Sequence, residues 1–410
     1  MSEVMATALP QPQRKKRKPG HPRLGRADRS ALGTWFWEID RVLLLLVVML
    51  ISIGLVAVAA ASPAAAVRYS QGAHQLSPLY YFYRQAAWIA IGLPIMLFVS
   101  MLPKEVARRL ALSGASFFFV MLVAVPLIGS EVNGAKRWIG VGFLEFQPSE
   151  FLKPLFVVLI AWLLSLRARD SSLPVMPLTG LILAVIAFLL MRQPDFGQTV
   201  MFAAIWIALL TLGGLSMRLL AGLGAAGMGL VVTAYFFYSV ANERINNFLF
   251  AEGDTYQTDK AFATLTNGGL LGTGPGGGTM KFRLPEPHTD YIFSVIGEEF
   301  GLISCIAIAA IYLAIVIRVF VRLLHEEDEF LLLASAGLAT QFGLQALINM
   351  AVNVQLAPSK GMTLPFISYG GSSMLALSIG MGLLLAFTRR NPYLTRSPYV
   401  VKWSGESLTA

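Results

Sequence analysis

VLLLLVVMLISIGLVAVAAA, residues Val42 to Ala61, is a run of 20 residues without a charge. At 1.5 Å per helical residue it reaches about 30 Å, the thickness of a bilayer's hydrocarbon core. The stretch AAASPAAA that ends and follows it superficially resembles a leader cleavage site. However, the basic tail before the run is far longer than a leader's charged region, and the run itself is of spanning length. It is read as a transmembrane helix and not as a signal peptide.

The rest of the chain repeats this pattern. Of 410 residues, 56% are hydrophobic and 13% charged, too few polar side chains to cover a water-soluble globule. Further apolar runs lie at about 86–102, 109–129, 151–166, 173–191, 196–214, 218–239, 291–321, 330–356 and 368–388. The expectation is an all-α integral membrane protein of about ten transmembrane helices, with Pro194 interrupting the 173–214 region.

Charge gives a topology. Arg14, Lys15, Lys16, Arg17, Lys18, Arg23, Arg26 and Arg29 precede the first span, and such a tail acts on topology and anionic lipid rather than on nucleic acid. With that tail cytoplasmic, Lys104, Arg108, Arg109, Arg167, Arg169, Arg218, Arg318, Arg322, Arg389 and Arg390 all fall on the same side. Both termini are then inside. The predicted organisation is a basic tail without folded structure over 1–41, a polytopic domain over 42–390 and a cytoplasmic tail over 391–410. The single cysteine, Cys305, excludes a disulfide framework within the chain.

Loops assigned to the outer side hold nearly all the unusual residues. The largest, about 240–290 between the seventh and eighth spans, is too long for a connector and is expected to pack over the bundle. Gly272, Gly274 and Gly277 within it satisfy GxGxxG, but no strand–helix context surrounds them, so a turn is the better reading than a nucleotide site. The loop runs into LPEPHTDYIFSVIGEEF, Leu284 to Phe300, which sets Asp290 where loop meets lipid. An ionisable group there is expensive unless paired or used.

A second constellation, NGAKRWIGVGFLEFQPSEFLKP, spans Asn133 to Pro154. Lys136, Arg137 and Trp138 suit a membrane interface. Glu150 and Lys153, three apart at a helix start, could form an internal ion pair, and that helix start with Arg137 nearby would also suit a phosphate. Arg84 and Gln85 open the second span, and Arg192, Gln193, Pro194, Asp195 and Gly197 interrupt the fifth and sixth. Pro358 to Ser373 reads PSKGMTLPFISYGGSS. Each has a structural alternative: Asp195 as a helix cap or a partner of Arg192, Ser368 and Tyr369 as interhelical hydrogen-bonding groups, Gly370 and Gly371 as packing residues.

Taken in order, NGAKRWIGVGFLEFQPSEFLK, QPDFGQT, LPEPHTDYIFSVIGEEFG and PSKGMTLPFISYGGSS closely resemble the signature segments of the SEDS family of bacterial cell-shape, division and sporulation proteins. The resemblance covers about Val42 to Arg390 and is nearer to the division branch than to the elongation branch. The segment GPGGGTMKFRLPEP departs from commonly seen versions. The resemblance implies a peptidoglycan glycosyltransferase of the inner membrane that polymerises lipid II for septal wall synthesis. It implies a class B penicillin-binding protein and other division proteins as partners. Asp290 matches the family's essential acid, and Arg84, Arg137, Lys153, Asp195 and Ser368 match further functional positions.

The chemistry agrees. An acceptor hydroxyl must lose a proton as it attacks the anomeric carbon, and Asp290 is placed to take it. Arg84, Arg137 and Lys153 could neutralise the departing diphosphate, and Asp195 could position a cation or Lys153. Inversion needs one displacement and no second carboxylate nucleophile. Glu298 and Glu299, about two turns on, are read as internal hydrogen-bonding groups, and His288 as a solvated or capping residue. Four scattered histidines without metal-ligand pairing argue against a zinc site; a divalent cation, magnesium or manganese, held by Asp290 or the diphosphate stays open. The rival readings are a lipid II flippase, an elongation-type polymerase and a scaffold for division enzymes.

Overall fold

The computed structural model describes residues 31–70, 75–132, 135–140, 142, 145–170, 172–250, 256–358 and 361–390. The basic residues before position 31, the tail after 390, and Ser359 and Lys360 of the PSKGMTLP motif lie outside the described residues. Within the stretch expected to be unstructured, Ala31–Glu38 forms a short helix, α1, where the sequence turns from basic to ALGTWFWE.

Ten apolar helices build the compact unit Ile39–Arg390. They are α2 (Arg41–Tyr69), α3 (Tyr80–Met101), α4 (Lys104–Ile128), α5 (Pro148–Arg169), α6 (Val175–Arg192), α7 (Phe196–Leu212), α8 (Met217–Phe237), α11 (Ile292–Leu323), α12 (Glu329–Asn353) and α13 (Gly371–Phe387). Eight are long and apolar enough to cross a bilayer, and α7 and α13 are shorter. Together they match the expected ten. The first span runs eight residues past Ala61, because small residues and Pro63 are accommodated inside the helix. α5, α12 and α13 are the most enclosed. By contrast, no residue of α8 is buried.

One buried charge ties down the start of the bundle. Asp40 caps α2, accepting from the Val42 and Leu43 amides, and pairs with Arg318 and Arg322 of α11 at 3.0 Å each. A carboxylate at a helix N-terminus with two guanidiniums is well compensated.

At the opposite end from that cap, the connection between α4 and α5 is a hairpin of β1 (Ser130–Val132) and β2 (Ala135–Trp138). The 240–290 segment does pack on the bundle. It forms α9 (Ser239–Leu249), α10 (Tyr256–Asn267) and a 3-10 turn at Met280–Arg283, and α10 and that turn contact α11 and α2. Leu284, Tyr291 and Val295 meet Ala61, Ala261 and Val352 in one apolar cluster beneath the loop.

α11 is broken at Gly301, whose φ of 80° only glycine adopts readily. The break frees backbone groups on both sides, and the glycine-rich loop takes them up. Glu298 and Glu299 carbonyls accept from the Thr273 and Gly274 amides, while the Leu302 and Ile303 amides donate to Gly269 and Leu270. The stretch Gly269–Gly274, which holds Gly272 and Gly274 of the GxGxxG pattern, is thus a main-chain partner for a broken helix, as inside a membrane freed backbone groups must find one.

Candidate active site

Asp290 sits half-buried one residue before Tyr291, the N-cap of α11. Its main-chain carbonyl is gripped by two amides of α12, accepting from Asn349 Nδ2 at 2.9 Å and Asn353 Nδ2 at 3.1 Å. Asn349 Nδ2 also donates to the Met362 carbonyl at 2.6 Å, drawing the 361–363 segment onto the acid. Gly361 comes so close that a β-carbon there would lie 3.2 Å from Asp290 Oδ2. Among the described residues the carboxylate itself takes no hydrogen bond and no ion pair. Burial, then the charges of Glu286 and Glu150, push it up to about 7. A carboxyl in that range exchanges its proton near neutral pH, as a general base requires.

The loop before it is fixed by aromatic packing. His288 lies with its ring centroid 4.1 Å from that of Tyr81, 5.2 Å from Tyr369 and 6.0 Å from Tyr69. It is not the solvated or capping residue expected from the sequence. Burial, against the opposing charge of Glu286, pulls it down to about 4, so it is neutral and serves as a wedge. Glu286 accepts from the Tyr69 hydroxyl and from Thr289 Oγ1.

Lys153 is almost completely buried, at 1% exposure, and pairs with Glu150 at 2.8 Å. It also reaches Gln345 Oε1 at 3.4 Å, and Gln345 Nε2 donates to the Thr363 carbonyl. A polar chain therefore runs from Lys153 through Gln345 to the segment that faces Asp290. Gln341, Gln345, Asn349 and Asn353 repeat every four residues along α12 and are all buried. The sequence reading missed this stripe, although amides at that spacing in an apolar helix mark one polar face.

Asp195 caps α7, accepting from the Gln198 amide at 3.2 Å and from Gln147 Nε2 at 3.2 Å. Gln198 Nε2 in turn donates to Glu150 at 2.7 Å, which joins Asp195 to the Lys153 pair. Arg137 on β2 donates to the carbonyls of Gln193 and Pro194, at 2.9 and 2.6 Å, pinning the hairpin beside Asp195. Arg84 of α3 donates to the Tyr80 hydroxyl and stacks over the Tyr80 and Tyr369 rings. Ser368 accepts from the Leu364 amide and donates to the Thr289 carbonyl at 2.6 Å, clamping the residue before Asp290. The structure thus joins Asp195 and Lys153 in one network with Arg137 at its edge. Ser368 and Arg84 belong to the Asp290 side.

Glu298 and Glu299 are fully enclosed, and both anchor the loop. Glu298 accepts from the Thr279, Met280 and Lys281 amides and from Asn267. Glu299 pairs with Lys281, whose ammonium also reaches the Ala60 carbonyl of α2. Lys281, a buried cation hidden in a glycine-rich stretch, was not singled out from the sequence.

The FtsW/RodA/SpoVE family, described as cell cycle protein, matches residues 41–393. The chain belongs to this family. It is the SEDS family whose motifs carry Asp290, Lys153 and Asp195. A Caulobacter vibrioides protein named as a probable peptidoglycan glycosyltransferase FtsW is 37% identical over 369 residues, 90% of this chain and 93% of that one. A Trichlorobacter lovleyi protein of the same name is 36% identical, covering 85% and 92%. Among solved structures, a chain of a peptidoglycan synthase complex that coordinates polymerization with crosslinking superposes with a TM-score of 0.69 at 26% identity, covering 85% of this chain and 97% of that one. The rod-shape-determining protein RodA of Thermus thermophilus superposes at 0.62 and 26% identity, covering 85% and 96%. These likenesses make the chain a multi-pass membrane protein of the SEDS fold.

Proposed function

We propose that this chain is a peptidoglycan glycosyltransferase of the division type, which joins lipid II units into glycan at the outer face of the cytoplasmic membrane. The observation that carries the reading is the Asp290 carboxylate, raised to about 7 and without a partner among the described residues, at the end of the bundle. The identity to FtsW-type relatives over most of the chain supports the substrate class.

In this reading Asp290 removes the proton from the acceptor sugar hydroxyl as it attacks the donor anomeric carbon. The bond to the lipid diphosphate breaks, and the configuration inverts in one step. Asn349 and Asn353 hold the acid in place through its main chain. Arg84 faces the same loop and contributes positive charge toward the leaving diphosphate. Arg137, Lys153, Asp195 and Ser368 act on the diphosphate or shape the walls around it.

No group of three or more His, Cys, Asp or Glu among the described residues could hold a metal. Asp290 and Glu286 supply carboxylates that fit a magnesium or manganese ion carried mainly by the diphosphate, since such ions are commonly bound by one or two carboxylates plus phosphates. It would neutralise charge on the leaving group.

A class B penicillin-binding protein and other division proteins at the septum are the proposed partners, the first by likeness to the synthase complex. Both termini are proposed to lie in the cytoplasm, a reading that the distribution of basic residues supports. The test is polymerisation of labelled lipid II by the purified chain with its partner. Asp290→Asn is expected to lose at least about 100-fold in rate. Normal polymer from that variant would remove Asp290 from the chemistry, and translocation of lipid II without polymer would make the chain a flippase.

A further inference from the structure

α2 holds the segment before Asp290 at two points. The Ala60 carbonyl accepts from Lys281 Nζ at 2.9 Å, and the hydroxyl of Tyr69, the last residue of the helix, donates to Glu286 Oε1. About 13 Å of helix lies between the two, at 1.5 Å per residue. At its other end α2 is tied to α11 through Asp40 and the two arginines. Tyr69 is therefore the tip of an element that is fixed along its length. Its ring is packed as well, edge-on to His288 and Tyr81 with centroids 6.0 and 6.3 Å away, so the hydroxyl meets Glu286 from a set place.

Glu286 is in turn the centre of a strained turn. Its φ of 50° lies in the left-handed region, which residues other than glycine rarely adopt, and Pro285 and Pro287 stand on either side of it. Such a conformation persists only where the surroundings over-determine it, and it clusters at functional sites. The Glu286 carbonyl accepts from the Thr289 and Tyr291 amides at 3.3 and 3.4 Å, and its Oε2 accepts from Thr289 Oγ1 at 2.8 Å. Asp290 thus lies between two residues that Glu286 holds. Asn349, Asn353 and Ser368 fasten the main chain of Thr289 and Asp290 themselves, whereas the bond from Tyr69 fastens the turn that leads into them.

We propose that Tyr69 is a positioning residue for the transfer reaction: its hydroxyl holds the Glu286 carboxylate, and the Glu286 turn holds Asp290 where the acceptor hydroxyl meets it. The proposal rests on the glycosyltransferase reading for its reaction. It adds a residue of the first span that touches no reacting atom and acts through Glu286 alone. A hydrogen bond to a carboxylate is among the stronger ones, and a small misplacement of a catalytic group is enough to slow chemistry.

The experiment pairs steady-state polymerisation of lipid II, by the full chain with its partner, with amide hydrogen exchange of the full chain in nanodiscs. Tyr69→Phe keeps the ring against His288 and removes only the hydroxyl. It should lower kcat about tenfold with KM changed much less, and the Thr289 and Tyr291 amides should exchange faster at an unchanged melting temperature. Glu286→Ala should lose at least as much, and Glu286→Gln, which keeps an acceptor for Tyr69, should lose less. Because Tyr69 acts through Glu286, the Tyr69→Phe/Glu286→Ala pair should be no slower than Glu286→Ala alone. Wild-type kcat in Tyr69→Phe would overturn the proposal, and so would losses that multiply in the pair. Glu286→Gln as slow as Glu286→Ala would overturn it too, since the charge of Glu286 and not its bond to Tyr69 would then matter. Exchange needs no turnover, so an active Asp290→Asn would defeat the general-base reading while the coupling of Tyr69 to the Thr289 and Tyr291 amides stood.

Discussion

Asn349 donates its side-chain amide to the main-chain carbonyl of Asp290 at 2.9 Å and to that of Met362 at 2.6 Å. One amide therefore sets the distance between the acid and the segment in front of it. Asn353, one turn on, repeats the grip on Asp290 and also holds Ser294 Oγ. The acid is held by its main chain, and its carboxylate takes no hydrogen bond among the described residues.

Removing that hold should slow chemistry more than binding. Asn349→Leu is expected to lower kcat about tenfold, and the Asn349→Leu/Asn353→Leu pair about 100-fold, with KM changed much less. Steady-state polymerisation at varied lipid II concentration reads the two apart. A folded double variant with normal kcat would show that the amides only support packing.

The pH dependence follows from Asp290 ionising near 7. A base works when deprotonated, so kcat/KM should climb with pH up to about 7 and level off above it. A profile flat between pH 5.5 and 8 would exclude this carboxyl as the titrating base.

The same burial has a stability cost with a defined sign. The folded carboxyl holds its proton up to about 7, whereas the unfolded one loses it near 3.8, so the folded state binds more protons between these values. Stability therefore falls as pH rises through that window, by at most about 4 kcal/mol. Asp290→Asn should melt higher than the native chain at pH 8 and converge with it toward pH 4. Thermal scans in detergent at the two pH values decide it.

Lys153 and Glu150 can be separated from substrate by a paired replacement. Lys153→Met alone leaves a buried carboxylate without its cation and should destabilise by about 3–5 kcal/mol, while Lys153→Met/Glu150→Leu should recover most of that. Polymerisation restored in the double variant would assign the pair to architecture. Persistent inactivity at recovered stability would assign Lys153 to the diphosphate.

The loop anchor can be read by amide exchange. Glu298→Ala removes the acceptor of three backbone amides, at Thr279, Met280 and Lys281, and these should lose protection while the amides of α5 keep theirs. Unaltered protection at the three would mean that the loop holds by other contacts.

The ten spans were legible because a bilayer demands about 20 apolar residues per helix, and Val42–Ala61 meets that demand without context. Asp290 was legible for the opposite reason, as a charge where lipid begins. The ion pair of Glu150 with Lys153 was visible as a spacing of three. What could not be read were the contacts that span the sequence. Lys281 meets Glu299 and Ala60 only after the loop folds back across α2 and α11, and nothing local marks Gly269–Gly274 as the partner of a break at Gly301. His288 looked polar and exposed because its three tyrosines come from distant segments.

The break at Gly301 has a mechanical consequence. The helical segment that follows Asp290, Ile292–Phe300, is fastened to the loop through Glu298 and Glu299, and the 22 residues from Leu302 to Leu323 alone are long enough to cross the bilayer. A span tilts to match the thickness of its membrane, and the loop's hydrogen bonds to the Leu302 and Ile303 amides beyond the break carry that tilt toward the segment that follows Asp290. Polymerisation in vesicles of graded acyl length should therefore vary with thickness, and Gly301→Ala, whose β-carbon would lie 2.3 Å from the Leu270 carbonyl oxygen, should loosen the loop from the break and blunt that dependence.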